Sequence, residues 1–570
     1  MFLSDKLISS FKLIAGLYIA FVAYGIYSNY SPVPYWDMWD GYLNFFIQAV
    51  NGNFQVWFSQ HNEHRIIFSR ILFYIDLHCF GGQSIFLLII NFLFLSLTAI
   101  LMVYIVKDIF KSQKEDFRDL QMILQFFSII MLFSWMQAGN ITWAFQSGTF
   151  AASFFPLLSF YLLVKSEDKK NNFIFILSIT IGIISAGTMV NGVMALPILF
   201  VLSLSLKQNF KKSIFILLAS LIVLYLYFHN YNSVTGHGSI YDTLTNRPKV
   251  FFEYMFANLG GIYYYISSMG GIISHKGSIL LSQITGTILL ISSLFFTYLV
   301  FIKRDVNKFY LVALSYFVYY GGTAFATAGG RAIFGIQQAF SSRYMTPSLI
   351  AWTLLFMIYL NYFRSNKKIS KIIVFISLTI SVALILFQLT VFRDTSENIF
   401  DKKIAALSIE MGIRDKQYIE KIYPSIDVVM IISKEPIKKN ISIFGNDDIE
   451  DVSLKIGKKI DTIPKDNLIG CLDGTTFIKE DQNALRISGW VFDIKLKNIP
   501  NKLFVVNEDK EIIGYVLSGK NRPDIKKTIN KIAYKSGFIG YVIKTRIIGK
   551  IFLVDIKNEK KLEIKIDNFT

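Results

Sequence analysis

Apolar runs of roughly twenty residues, the length that crosses about 30 Å of hydrocarbon, recur through the first 391 residues. They fix the class of fold before any other reading. Hydropathy places eleven of them, at residues 13–30, 85–106, 121–138, 145–164, 173–188, 192–206, 213–229, 278–302, 309–327, 345–363 and 372–391. A chain in which 53% of residues are hydrophobic, with 53 Phe among 570 residues, cannot keep such runs in water. The expectation is a mainly α, polytopic transmembrane helical protein. The apolar run near the N-terminus lacks a small-residue cleavage site before Pro32, so it reads as an uncleaved first helix.

The connecting segments alternate in charge. The N-terminal tail and the five alternate loops around residues 107–118, 165–170, 207–212, 303–308 and 364–371 hold 19 Lys plus Arg, whereas the loops between them hold seven. Basic loops stay in the cytoplasm, which predicts an N-terminus inside and a C-terminal region outside. Two places test that parity. Residues 173–206 are long for one span and short for two, but lysines flank both ends and Asn191-Gly192 offers a turn, so a hairpin is expected. Residues 250–271 are apolar yet interrupted by Glu253, Asn258 and Gly260-Gly261; as a span they would put Lys303-Arg304 outside, so an interfacial or re-entrant element is expected.

Beyond residue 391 the composition changes. Residues 392–570 carry 32 basic and 26 acidic residues, a solvated mixed-charge surface. Residues 392–467 read as a mixed connecting region with helical patterning near 401–422. From Leu468 to residue 570, short alternating runs such as Ala484 to Val491 and Lys502 to Val506, separated by turn residues, read as a soluble β-sandwich-like domain of seven or eight strands. Its diffuse charge gives no basis for nucleic-acid binding. Cys79 and Cys471, the only two cysteines, make no disulfide framework.

The loop after the first run holds the densest chemistry: Trp36-Asp37-Met38-Trp39-Asp40, then His61-Asn62-Glu63-His64-Arg65. Ionisable groups beside hydrocarbon lose hydration, so a cluster there points to a polar or charged substrate. A helix over residues 36–50 would put Trp36, Trp39, Leu43, Phe46, Ile47 and Val50 on one face and Asp37, Asp40, Asn44 and Gln48 on another. The two carboxylates are then either functional or only favoured by the helix dipole. In a second helix His61, His64 and Arg65 would share a face suited to a phosphate, with Glu63 turned elsewhere. HExxH is missing and no cysteine assists, so no metal ligand is assigned, and a divalent cation is left open.

Further polar residues fall on the same predicted side: Asn140, Gln146, Asn191, Gly330-Arg331 and Ser341-Ser342-Arg343-Tyr344. Arginines against the positive-inside pattern need a reason. A lipid-linked phosphate supplies one, because a guanidinium stays charged near lipid and offers bidentate donors; headgroup contact without catalysis supplies another. Asn140, Gln146 and Asn191 also suit polar contacts between helices.

An acidic first outer loop directly after span one, two amphipathic juxtamembrane segments, about eleven spans and an extracytoplasmic tail resemble the GT-C superfamily of integral-membrane glycosyltransferases. The residues that carry the resemblance are His61 to Arg65 and Ser342-Arg343-Tyr344, similar to bacterial members linked to surface polysaccharides, and it covers residues 1–391. Separately, Ser488 to Asp493, Asn521 to Ile525 and Ser536-Gly537-Phe538 resemble a small β-domain that accompanies bacterial glycan enzymes. The resemblance implies a bacterial inner-membrane enzyme that moves a sugar from a polyprenyl-phosphate-linked donor to a glycan acceptor. It implies that Asp37 or Asp40 accepts the acceptor's proton, and that Arg65, Arg331 and Arg343 meet the departing phosphate. The phosphate-binding set is then His61, Glu63, His64, Arg65, Gln146, Asn191, Arg331, Arg343 and Tyr344, and one displacement implies inversion. The acidic pair departs from the family's adjacent or alternating carboxylates, which leaves the base between the two.

Two other classes stay open. An O-antigen-type polymerase or ligase shares the lipid carrier but not the acidic first loop. A lipid or glycan transporter would show internal repeats or ionisable residues mid-span, and neither is visible.

Overall fold

The computed structural model describes residues 4–111, 117–271, 273–303, 307–391 and 395–566. Nine helices among them are long and apolar enough to cross a bilayer: Asp5–Ser28, Ile85–Phe110, Arg118–Ile141, Ala144–Lys169, Phe210–Phe228, His275–Lys303, Tyr310–Phe334, Ser342–Tyr362 and Lys367–Leu389. All coincide with expected spans. The other two expected spans form the hairpin, as shorter apolar helices at Asn172–Ala186 and Val190–Ser205. At 1.5 Å per residue the first of these is about 22 Å long, short of the hydrocarbon thickness. Helices long enough to cross by their own length therefore number nine among the described residues.

Local chemistry makes the turns. Lys170 ends one helix in the left-handed region (φ 49°), and the Asn171 side chain then accepts from the N–H groups of Phe173 and Ile174 to start the next. Lys207 and Asn209 repeat the device before Phe210–Phe228. Residues 250–271 are not one span but two helices, Pro248–Leu259 and Gly261–Ser268, broken at Gly260. A Cβ on Gly260 would fall 1.9 Å from the Ser282 oxygen, and one on Gly286 2.1 Å from that of Phe256. Glycine at both places lets the two helix backbones touch.

The chain forms two compact units. The first comprises Met1–Tyr27, Trp57–Ile71 and Leu87–Arg393; the second comprises Ser28–Val56, Leu72–Phe86 and Asp394–Thr570. Within the first, the loops predicted to be cytoplasmic meet one another. Lys165 pairs with buried Asp108 at 2.6 Å, Lys308 with Asp168 at 2.8 Å, and Asn307 donates to the Ile109 carbonyl at 2.7 Å. The polar loops of the opposite parity also meet, through the contacts of the candidate site described below. This grouping of loops is what the charge alternation requires of a bundle.

Within the second unit, residues 36–50 are helical, but not as one α-helix. A π-helical turn, Trp39–Asn44, precedes Phe45–Val50. The wider turn rotates the buried face, so Tyr42 and Phe45 are buried beside Trp39, Leu43 and Phe46, while Trp36 and Val50 are exposed. The expected apolar stripe is corrected accordingly. The chain there is tied to the tail by the Trp36 N–H donating to the Ile422 carbonyl at 2.8 Å.

The tail carries β1 (Asp466–Asn467), β2 (Ile469–Ile478), β3 (Asp481–Phe492), β4 (Lys502–Val506), β5 (Ile512–Lys520), β6 (Gly537–Ile543), β7 (Ile551–Asp555) and β8 (Lys560–Ile564). They form one sheet in the order β1-β8-β7-β4-β5-β6-β3-β2, antiparallel except for β1 with β8. Its two edges, β1 and β2, are joined through Leu468 alone, so the sheet must curl until its edges approach. The expectation of two facing sheets is corrected to one curled, half-barrel sheet. Val491, Leu503, Val505, Val516 and Phe538 fill its concave core. The other face is covered as well, which the strictly alternating pattern did not foretell: β7 is buried at every position. Phe400 of the helix Ser396–Glu410 lies against Gly519, and Asp415 accepts from Arg486 at 2.8 Å and from the Tyr541 hydroxyl at 2.9 Å.

Candidate functional site

The segment His61 to Arg65 is a tight turn, not a helix. His61 and His64 exchange backbone hydrogen bonds at 2.7 and 2.9 Å, and Asn62 takes the left-handed conformation (φ 48°) that asparagine tolerates. The expected shared helical face of His61, His64 and Arg65 is therefore absent. Instead the turn is clamped onto the end of Phe210–Phe228 and the residues after it. Gln60 donates to the Asn232 carbonyl at 2.7 Å and accepts from its N–H at 3.0 Å, and the Tyr231 hydroxyl donates to the Glu63 carbonyl at 3.0 Å.

Arg65 does the clamping rather than facing a ligand. Its Nε donates to the Tyr227 carbonyl at 2.7 Å, and its two terminal nitrogens donate to Phe58 at 2.5 Å and His229 at 2.6 Å. The Tyr227 and His229 carbonyls are orphans of a helix end, which a guanidinium satisfies well. The phosphate role expected for Arg65 gives way to this cap.

Clamping aims Glu63 at Arg331. Nη2 of Arg331 donates to both carboxylate oxygens, at 2.9 and 3.1 Å. Nη1 of Arg331 meets Nε2 of His237 at 3.2 Å, and Nδ1 of His237 lies against Oε1 of Glu63. Because a guanidinium only donates, Nε2 accepts, which assigns the proton to Nδ1 facing the carboxylate. The triad is mostly buried, with side-chain exposures of 23%, 22% and 19% for Glu63, Arg331 and His237. Burial pushes the Glu63 carboxyl up, but Arg331, with help from its own backbone and the two histidines, outweighs it and holds the group below the usual range. Glu63 is a carboxylate here.

His237 was missed in the sequence, where it stands alone between Gly236 and Gly238. Its position depends on a close backbone approach: the Gly238 N–H donates to the Gly330 carbonyl at 3.0 Å, and a Cβ on Gly238 would fall 2.6 Å from the Gly329 oxygen. A glycine flanking a lone histidine was the available signal.

Arg343 is positioned by a separate network. The Gly139 N–H donates to the Ser342 hydroxyl at 3.0 Å, Asn140 donates to the Arg343 carbonyl at 3.0 Å and to Thr346 at 2.8 Å, and Thr346 donates to Gln137 at 2.6 Å. The Arg343 guanidinium lies 5.6 Å from the centre of the Tyr344 ring and has no carboxylate or hydrogen-bond acceptor among the described residues. Asn140 thus acts as a contact between helix ends. Asn191 donates to Thr323 at 3.3 Å, a contact of the same kind, whereas Gln146 accepts from Thr149 at 2.5 Å within the first turn of one helix.

His64 is acted on by these charges. Its Nδ1 accepts from the Val190 N–H at 3.3 Å. Surrounding protein pushes its pKa down to about 4; Glu63 opposes that shift, and His61, Arg331 and Arg343 reinforce it. A histidine depressed in the fold stays neutral while the unfolded chain takes up a proton, so the fold is at full strength above about pH 6.5 and weakens as pH falls towards 4. His64→Asn keeps an acceptor for Val190 and removes the titration. The loss of melting temperature between pH 7 and pH 5 should then shrink; an unchanged loss would assign the acid sensitivity elsewhere.

No protein-family model, curated protein or solved structure matches the chain. The chemistry of the site is read from its residues alone. Among the described residues, no three of His, Cys, Asp and Glu converge as a metal-ligand set.

The two first-loop carboxylates belong to the second unit. Asp40 lies on the π-helical turn and accepts from the Tyr423 hydroxyl at 2.5 Å, while Asp37 precedes the turn, its carbonyl accepting from the Gly41 N–H at 2.7 Å. Both are partly exposed. A third carboxylate of this unit escaped the sequence reading. Asp76 is fully buried, accepts from the Tyr42 hydroxyl at 2.5 Å and from the Ser84 N–H at 3.3 Å, and is pushed up to about 6 by burial. Those contacts close the loop after Ile67–Cys79, a structural duty.

Proposed function

We propose that this chain is a membrane glycosyltransferase of the GT-C kind, working at the extracytoplasmic face on a polyprenyl-phosphate-linked sugar and a glycan acceptor. The observation that carries the reading is the uncommitted Arg343 guanidinium, which together with Arg331 of the Glu63–His237–Arg331 triad acts on His64. Arg331 ends one helix of membrane-crossing length and Arg343 begins the next, Tyr310–Phe334 and Ser342–Tyr362. A cation held at that depth in a low-dielectric surround favours an anion that arrives on a lipid, and a guanidinium matches the geometry of phosphate oxygens. A glycan carrier with a phosphate at the membrane surface has both properties.

In this reading the acceptor hydroxyl attacks the anomeric carbon while the bond to the phosphate oxygen breaks, and that oxygen keeps the electron pair. Arg343, with Arg331, stabilises the growing charge. The proton goes to Asp37 or Asp40, as the resemblance implies, and the single displacement inverts the anomeric centre. The charge alternation supports an N-terminus in the cytoplasm and residues 392–570 outside it, and the resemblance implies a bacterial inner membrane. A reporter fused after Thr395 that is active only in the cytoplasm would overturn that orientation.

The test of the function is the lipid the protein carries. Native mass spectrometry of protein extracted from a bacterial membrane should show a bound polyprenyl phosphate or its glycosylated form. A protein that carries only phospholipid, even after addition of a prenyl-phosphate sugar, contradicts the reading.

A further inference from the structure

The tail enters none of the steps above, yet two of its neighbouring residues grip the first loop. The Ile422 carbonyl accepts from the Trp36 N–H at 2.8 Å, and the Tyr423 hydroxyl donates to Oδ2 of Asp40 at 2.5 Å. The grip is firm on both sides. Trp36 takes the left-handed region (φ 49°), which a bulky residue adopts only where its surroundings hold it there. Tyr423 follows the short helix Lys416–Ile419, its N–H donating to the Ile419 carbonyl at 3.0 Å, and Ile419 and Ile422 are fully buried. Asp415 caps that helix, and Arg486 of β3 at 2.8 Å and the Tyr541 hydroxyl of β6 at 2.9 Å hold Asp415 in turn. The β-sheet therefore backs the residues that present Tyr423.

Under this grip the two first-loop aspartates are not equivalent. The Asp37 side chain has no hydrogen bond or ion pair among the described residues, so no such contact fixes its rotamer. Asp40 gives one oxygen to Tyr423, while the other has no hydrogen bond among the described residues and is open to solvent. A general base must meet the hydroxyl in a fixed and reachable geometry, and a carboxylate tethered by one oxygen with the other free meets both conditions. We infer that Asp40 is the base of the proposed transfer and that Tyr423, a residue of the tail, is its positioning residue. This rests on the reading of the chain as a glycosyltransferase and gives the tail a part in it. The acceptor oxygen bonds to the anomeric carbon, its proton passes to the free oxygen of Asp40, and the phosphate oxygen leaves with the electron pair of the bond that breaks. Tyr423 keeps its own proton throughout.

The experiment is a double-variant cycle on the full chain in liposomes, with the pair that the wild type turns over from a panel of prenyl-phosphate sugars and glycan acceptors. Tyr423→Phe removes only the hydroxyl oxygen. The expected result is kcat lowered about tenfold or more, the scale of a hydrogen bond to a charged group, with KM for both substrates and the melting temperature unchanged. In the Asp40→Asn background, where no base is left to position, the same change should lower kcat no further; in the Asp37→Asn background it should cost the full factor. Wild-type kcat in Tyr423→Phe, while Arg343→Ala still suppresses transfer, overturns the role of Tyr423 and leaves the reading of the function standing. An equal further loss in the Asp40→Asn background overturns it too, because the hydroxyl would then act on something other than Asp40. A fall in melting temperature that accounts for the lost rate overturns it by assigning Tyr423 to packing alone. A wild type that turns over no pair removes the glycosyltransferase reading, and the role of Tyr423 with it.

Discussion

If the proposed transfer uses Asp37 or Asp40 as its base, asparagine at that position should lower sugar transfer by about 10² to 10⁴, the contribution of a positioned general base. The substitution keeps shape and hydrogen-bond length but removes basicity, so turnover falls while donor binding stays near wild type. The two aspartates differ in a way that lets a third variant tell them apart. Asp40 is held by the Tyr423 hydroxyl, whereas the Asp37 side chain has no partner among the described residues. Tyr423→Phe removes the donor that orients Asp40, so it alters the rate and its pH profile if Asp40 is the base and leaves both unchanged if Asp37 is. Wild-type rates in both asparagine variants would exclude both aspartates as the base. Glu63 is then the next candidate by position, although its pairing with Arg331 makes it a weak proton acceptor.

Arg343→Ala should lower kcat/KM for a prenyl-phosphate sugar by about 10² to 10³, the effect of losing one donor that faces developing charge. Lysine at this position keeps the charge but loses the planar fork, so Arg343→Lys should recover only part of the rate. Arg331→Ala is a less clean test, because it also strands the Glu63 carboxylate and the His237 ring in a mostly buried setting, at a cost in stability. Adding Glu63→Gln removes the stranded charge. If the double variant regains stability but not activity, Arg331 acts on the substrate; if it regains both, Arg331 serves only to hold the loop.

The parts of this molecule that were legible in the sequence are those set by local pattern. Apolar run length located the nine long helices, and the charge of short loops grouped their ends. The lysines that flank residues 173–206 marked turns, and the structure supplies their mechanism, a left-handed lysine followed by an asparagine cap at Asn171 and Asn209. Alternation located the strands, but not that the edges of the sheet would be one residue apart at Leu468, since pairing partners are set by the whole chain.

The site was legible as a list of residues and not as an arrangement. Glu63 and Arg331 are 268 positions apart, and no spacing rule reaches that far. His61 to Arg65 suited a helix by interval, yet Asn62 in the left-handed region and the carbonyls at the end of Phe210–Phe228 decided for a turn, with Arg65 drawn to those carbonyls. The buried face of residues 36–50 shifted because one π-helical turn changes the period, and nothing in the pattern of Trp and Asp announces it.

The central claim is that the chain moves a sugar off a prenyl phosphate. Purified protein reconstituted in liposomes and given a panel of isotopically labelled prenyl-phosphate sugars with a glycan acceptor tests it most directly, by following free prenyl phosphate and labelled acceptor together. The account predicts that one sugar donor yields both in equal amounts, with the anomeric configuration inverted, and that Arg343→Ala suppresses both. Labelled lipid that crosses the bilayer with its sugar still attached, with neither product formed in any combination, would contradict it and identify a transporter instead.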